Sequence, residues 1–166
     1  MANNSMDAAS TLVSLLRGSN GVGAVIADAR FEDNRFLPEI ADSQMWTSHL
    51  HGDLSEEGRG FQYPALFVYC DKVTNLLREK FRKFSGKVRL NVEIRASQNR
   101  FEGLDETMAA YVDAVTEVLQ RNQGDWGRGM SYSGAYEVTL EAIKRGGKGF
   151  VQTAKVILEV DVSQDE

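Results

Sequence analysis

The sequence predicts an α+β fold: a single mixed or antiparallel β-sheet with a C-terminal β-hairpin, packed on one face by two main helices as a two-layer sandwich. Three observations predict it. Residues 135–162 carry two runs of period-two alternation around the break Gly146-Gly147-Lys148-Gly149, the pattern of a hairpin. Residues 87–97 alternate as cleanly, with Val88, Leu90, Val92, Ile94 and Ala96 against Arg89, Asn91, Glu93 and Arg95. Residues 104–123 instead repeat at three and four, placing Leu104, Met108, Tyr111, Val112, Val115, Val118 and Leu119 on one helical stripe.

From the N-terminus, Met6 to Arg17 reads as a helix with Ala9, Leu12, Val13 and Leu16 inward and Gly18 as its stop. Gly21 to Ala29 is short and apolar and reads as a buried strand or a continuation of helix, with the strand favoured. Residues 28–60 mix acidic groups, Pro38 and turn glycines without periodicity, so a long irregular loop is expected at about 30–62. Tyr63 to Cys70 is a strand opened by Pro64. Lys72 to Phe84 is either a short amphipathic helix or an extended arm. Val73, Leu77, Phe81 and Phe84 lie at helical spacings among five cations. The long helix has Asp105 and Glu106 in its first turn, where they oppose the helix dipole. Residues 125–134 are expected as a loop. In the hairpin, Tyr136, Val138, Leu140 and Ala142 share the inward face with Ala154, Val156, Leu158, Val160 and Val162. A one-residue slip would turn the charges of both strands into the core, so the register is firmly set. The sheet is expected to have one wet face.

Composition sets bounds. The 166 residues suit one domain spanning 1–166, and 42% hydrophobic with 26% charged residues is an ordinary globular balance. A net charge of −5 argues against a dedicated nucleic-acid binder, though not against a local basic face. A lone Cys70 excludes an internal disulfide and fits a reducing compartment. No stretch approaches the length of a membrane span, and residues 1–10 lack the character of a signal peptide, so synthesis and use in a cytoplasm, or in something assembled there, are expected.

No catalytic constellation is complete, and no enzyme, cofactor or metal is expected. His49-Leu50-His51-Gly52-Asp53 has metallo-hydrolase spacing, but Leu54 stands where a further histidine ligand belongs, and the chain has only two histidines. Gly129-Met130-Ser131-Tyr132-Ser133 lacks the last glycine of a nucleophile elbow. Gly18 to Gly23 does not fit a dinucleotide fingerprint. Lys72 to Arg95 holds eight Lys or Arg and two Glu. That segment is open to two readings: nucleic-acid contact, as in a regulatory binding domain, or pairing with the acidic stretch 28–57 of another copy. A chain with one acidic and one basic surface can associate head to tail, and such contacts can close into rings.

Four stretches carry a family resemblance: Tyr63-Pro64-Ala65-Leu66-Phe67-Val68-Tyr69, Lys80-Phe81-Arg82-Lys83-Phe84-Ser85-Gly86, the strand Val88 to Arg95, and Tyr136-Glu137-Val138 with its glycine hairpin. Together they resemble the tail terminator (tail completion) proteins of tailed bacteriophages, particularly contractile-tailed ones. The resemblance covers about residues 60–162 and the N-terminal helix, in element order and hydrophobic style. It implies a non-catalytic virion protein, assembled in the host cytoplasm. It implies a homo-oligomer, a hexameric ring capping the tail tube protein, joining the tail to head–tail connector proteins at the neck and meeting the tail sheath. DNA would pass through the lumen without specific recognition. Other neck components (stopper or adaptor) and a tail tube subunit remain alternatives. On this resemblance the assembly interface would comprise Lys72, Arg78, Lys80, Arg82 and Lys83 of the arm, with Lys144, Arg145, Lys148 and Phe150 of the glycine turn.

Overall fold

A computed structural model describes residues 4–33, 37–48, 63–147 and 149–165. The α+β prediction holds: three helices lie with a curled mixed sheet that ends in the C-terminal hairpin. The helices are α1 (Asn4–Leu16), α2 (Val22–Asp33) and α3 (Leu104–Arg121). The strands are β1 (Met45–Trp46), β2 (Ala65–Asn75), β3 (Phe84–Gln98), β4 (Gly124–Gly127), β5 (Met130–Tyr132), β6 (Tyr136–Leu140), β7 (Lys144–Gly146) and β8 (Gly149–Gln164).

The spine is the antiparallel pair β3 and β8, in unbroken register from Phe84 opposite Gln164 to Gln98 opposite Phe150. β2 pairs the other side of β3, and β1 adds to β2 in parallel. The free side of β8 is taken in succession by β5, β6 and β7, with β4 outside β5. One face of the spine holds Val88, Leu90, Val92, Ile94 and Ala96 with Ala154, Val156, Leu158, Val160 and Val162, all buried. α1 covers it with Ala8, Ala9, Leu12, Val13 and Leu16, and α3 with its whole expected stripe. Each of these large side chains contributes about 1.5–3 kcal/mol on burial.

A β-bulge sets the phase of β2. Before it, Leu66, Val68 and Cys70 lie opposite Ile94, Val92 and Leu90; after it, Val73 lies opposite Val88. Asp71 is the extra residue, and without it Lys72 would point to the helix side.

Five expectations are corrected. Residues 22–33 form α2, not a strand. Val22 and Ile26 are buried four apart with Val25 beside them, and a short apolar run does not separate helix from strand by itself. Residues 124–132 form the β4–β5 hairpin, not a loop; Trp126 packs against Tyr132, and its indole N–H donates to the Asn122 carbonyl at the end of α3 (2.7 Å). Residues 37–48, expected within an irregular loop, contain β1 and bury Leu37, Ile40 and Met45; the Tyr111 hydroxyl donates to the Pro38 carbonyl (2.6 Å). The rest of that loop lies outside the described residues.

The fourth correction concerns the second face of the sheet, which is not uniformly wet. Asn91, Glu93 and Arg95 are buried there with Ala65, Phe67 and Tyr69, and Trp46 packs on the aromatic pair. The Arg95 guanidinium sits 4.6 Å over the Phe67 ring and pairs with Glu93; Lys155 stands 3.7 Å from the same carboxylate. Alternation marked these residues as facing away from the helices, but burial depends on what lies over them. The fifth concerns β6. Tyr136, Val138 and Leu140 share the face of Leu158, Val156 and Ala154 as expected, yet every residue of β6 is exposed.

Removing one member of a buried ion pair strands the other charge, at a cost of about 3–5 kcal/mol. Arg95→Ala should therefore lower stability by about that much in urea melts, and a Glu93→Leu/Arg95→Met double variant should recover most of the loss.

Candidate functional site

The sequence-predicted interface residues fall into two groups at opposite ends of the spine. The arm group lies where β3 begins, beside Gln164; the glycine-turn group lies where β3 ends, beside Phe150. The ends are 14 strand steps apart, roughly 45 Å. One surface patch does not contain both groups.

The arm is the distal half of the β2–β3 hairpin, so its extended reading holds and its helical one does not. Asn75 organises the tip. Its side-chain oxygen accepts from the amides of Leu77 and Ser85, both at 3.2 Å, and its amide donates to the Lys83 carbonyl (3.4 Å). Gly86 sits at the base, where a Cβ would come within 1.9 Å of the Thr74 carbonyl oxygen, so only glycine allows the strands this approach. The Lys83 amide donates to the Gln164 carbonyl (3.1 Å), tying the tip to the end of β8.

Charge on the arm is partly compensated within the chain. Arg82 pairs with Glu79 (3.1 Å) and with Asp165, and Arg78 lies 3.7 Å from Asp161. Lys72, Lys80 and Lys83 are exposed. Glu79, Arg82, Arg128, Ser163 and Asp165 line a shallow cleft of about 630 Å³ whose charges largely offset one another. At the bulge, the Arg89 guanidinium grips Asp71 at 2.8 and 2.9 Å and holds its carboxyl below the ordinary value.

At the far end, Lys144 and Arg145 are exposed in β7, while Phe150 is half-buried and meets Phe101 edge-on at 5.7 Å. Lys148 lies outside the described residues, as do His49, His51 and Asp53. Among the described residues no group of three or more His, Cys, Asp or Glu is placed to hold a metal, and no helix is long and apolar enough to cross a membrane. Burial pushes the Cys70 thiol up, away from the reactive thiolate. Burial, with Glu93 alongside, raises Tyr69 to about 12.

Sequence reasoning missed the most exposed feature. Phe81 is 96% exposed at the tip of the arm, with Leu77 at 66% and Val73 and Leu76 beside it. Spacings of four and three suggested a packed helical face. The signal available was the tip's own composition, in which Lys80 and Arg82 flank the aromatic directly.

No family model and no curated protein sequence matches the chain. Among solved structures it is similar to a chain of the virion of a native gene transfer agent (GTA) particle, at 12% identity and a TM-score of 0.51, covering 96% of each chain. The two share a fold over nearly their full lengths.

A depressed carboxyl contributes stability that is present above its unfolded value, about 4, and is lost as pH falls through the lower folded value. Asp71→Asn should therefore show a smaller fall in Tm between pH 5 and pH 2.5 than the unaltered chain; an equal fall would remove the Asp71–Arg89 pair from the acid response.

Proposed function

We propose that this chain is a structural virion protein, and within that class a tail-terminator-like subunit of the neck. It forms a ring, six-fold by the family resemblance, that caps the tail tube and joins the tail to the head–tail connector, with the sheath end as a further neighbour. It carries out no chemistry; its work is done by shape and charge at stacked interfaces. DNA passes through the lumen without sequence-specific contacts, and the ring is built in the host cytoplasm and ends in the virion.

The observation that carries this reading is the shared fold with a virion component over 96% of both chains. Two features of the chain support it. The arm and the glycine turn sit at opposite ends of a rigid two-strand spine, which suits a subunit that contacts neighbours on two levels. The arm's arginines are already held by Asp161, Asp165 and Glu79, which weakens its case as a phosphate-binding surface.

Negative-stain images of the concentrated protein at low salt should show closed six-fold rings. Filaments would instead assign a tube subunit, and monomers that bind DNA with a steep salt dependence would assign the nucleic-acid reading. Within a virion, Lys144→Glu with Arg145→Glu should leave the fold intact, by an unchanged thermal melt, and cut infectious yield by at least about tenfold, the scale of one lost charged contact.

A further inference from the structure

The described surface carries two apolar patches with no cover from the chain's own helices. One is the arm tip, with Val73, Leu76, Leu77 and Phe81. The other is β6, where Tyr136, Val138 and Leu140 are 37%, 39% and 57% exposed on the helix side of the sheet. β6 hydrogen-bonds to β8 along one side only; among the described residues no strand pairs its outer edge. A solvent-facing edge strand with an apolar stripe invites a partner.

Neither patch is explained by folding. Phe81 adopts φ of +66°, in the left-handed region, and Leu77 φ of +50°. That conformation is disfavoured for a non-glycine residue. Glycine or asparagine would relieve the cost at once, since the Phe81 ring makes almost no contact with its own chain. A bulky aromatic held in this way is suited to burial against something else.

We infer that the Phe81-tipped arm of one copy docks on the β6 edge of the next copy, the ring of Phe81 covering the Tyr136–Val138–Leu140 stripe. The inference rests on the reading of the chain as an assembling subunit and names the contact that joins one subunit to another. Charge selects this occupant. The arm presents Lys72, Lys80 and Lys83 around its apolar tip, whereas β6 carries Glu137 on its far face and Glu141 at its end. Asp105 joins them: the Gln152 side-chain amide bonds both its carboxylate (2.7 Å) and the Glu141 carbonyl (3.1 Å), which places it at the end of the strand. Arm against arm or edge against edge would set like charges together.

Geometry makes the contact intermolecular. The arm is tied to Gln164, while β6 begins opposite Leu158, roughly 20 Å back along β8 and on its other flank. An arm cannot reach its own edge. Donor and acceptor patches are different surfaces, so the contact is heterologous. It repeats around a ring, or along a filament when the rotation does not close. The acceptor in this inference is β6; the acidic stretch 28–57 lies partly outside the described residues.

The test uses two full-length chains in a Cys70→Ala background, one carrying Lys80→Cys and the other Thr139→Cys, both exposed positions. After mixing with a short bismaleimide, the 80–139 product should exceed either self-linked product by about tenfold or more, and Phe81→Asp in the first chain should abolish that excess. Phe81→Asp should leave the thermal melt unchanged, because the ring is 96% exposed. No preference for the mixed product, or a preference indifferent to Phe81→Asp, overturns the contact. Rings in the images without the mixed product would keep the ring reading and remove this contact; the mixed product without rings would do the reverse.

Discussion

The ladder between β3 and β8 is the constraint on which the rest depends. Fifteen residue pairs in one register fix which side chains meet the helices and which meet the far face. A slip of one would exchange Val88, Leu90, Val92 and Ile94 with Arg89, Asn91, Glu93 and Arg95. The same ladder sets the distance between the two ends of the subunit. It also supplies the two flanks on which β2 and the β5–β6–β7 succession are laid. The Asp71 bulge is a local adjustment to this frame: it restores Val73 to the apolar side just as the strand leaves cover.

Most of the frame was legible in the sequence, because period two and period 3.6 are direct imprints of burial on one side. The β3, β8 and α3 stripes and the hairpin partners came through in this way. Two of the misses share a physical origin: periodicity reports the face of an element, not what covers that face. Glu93 and Arg95 read as wet because they are charged, yet they lie buried beside Phe67 and Tyr69. Tyr136, Val138 and Leu140 read as core because they are apolar, yet they stand beyond the helices. The run Gly21–Ala29 failed for a different reason, since it is too short for its period to separate helix from strand. The cations of the arm were legible as a charge pattern, and the exposure of Phe81 among them was not.

A single subunit thereby combines a rigid, well-buried spine with two exposed, oppositely charged apolar patches on different flanks. This layout would suit the proposed heterologous contact. In it, rigidity would fix the angle between successive copies, and hydrophobic contact would supply the main association energy at the centre of the patch. Surrounding lysines and carboxylates would set orientation and reject wrong pairings. The absence of a strong internal use for Phe81 and for the β6 stripe is what a folding-only account of this sequence leaves unexplained.

Amide hydrogen exchange, compared between dilute protein and protein at assembling concentration, tests this most directly. Protection across β3 and β8 should be high and equal in both conditions, while the amides of residues 78–82 and the outward-facing amides of β6 should exchange fast when dilute and slow on assembly. Slowing elsewhere with both of those segments unchanged, or fast exchange along the β3–β8 ladder in either state, would contradict the account.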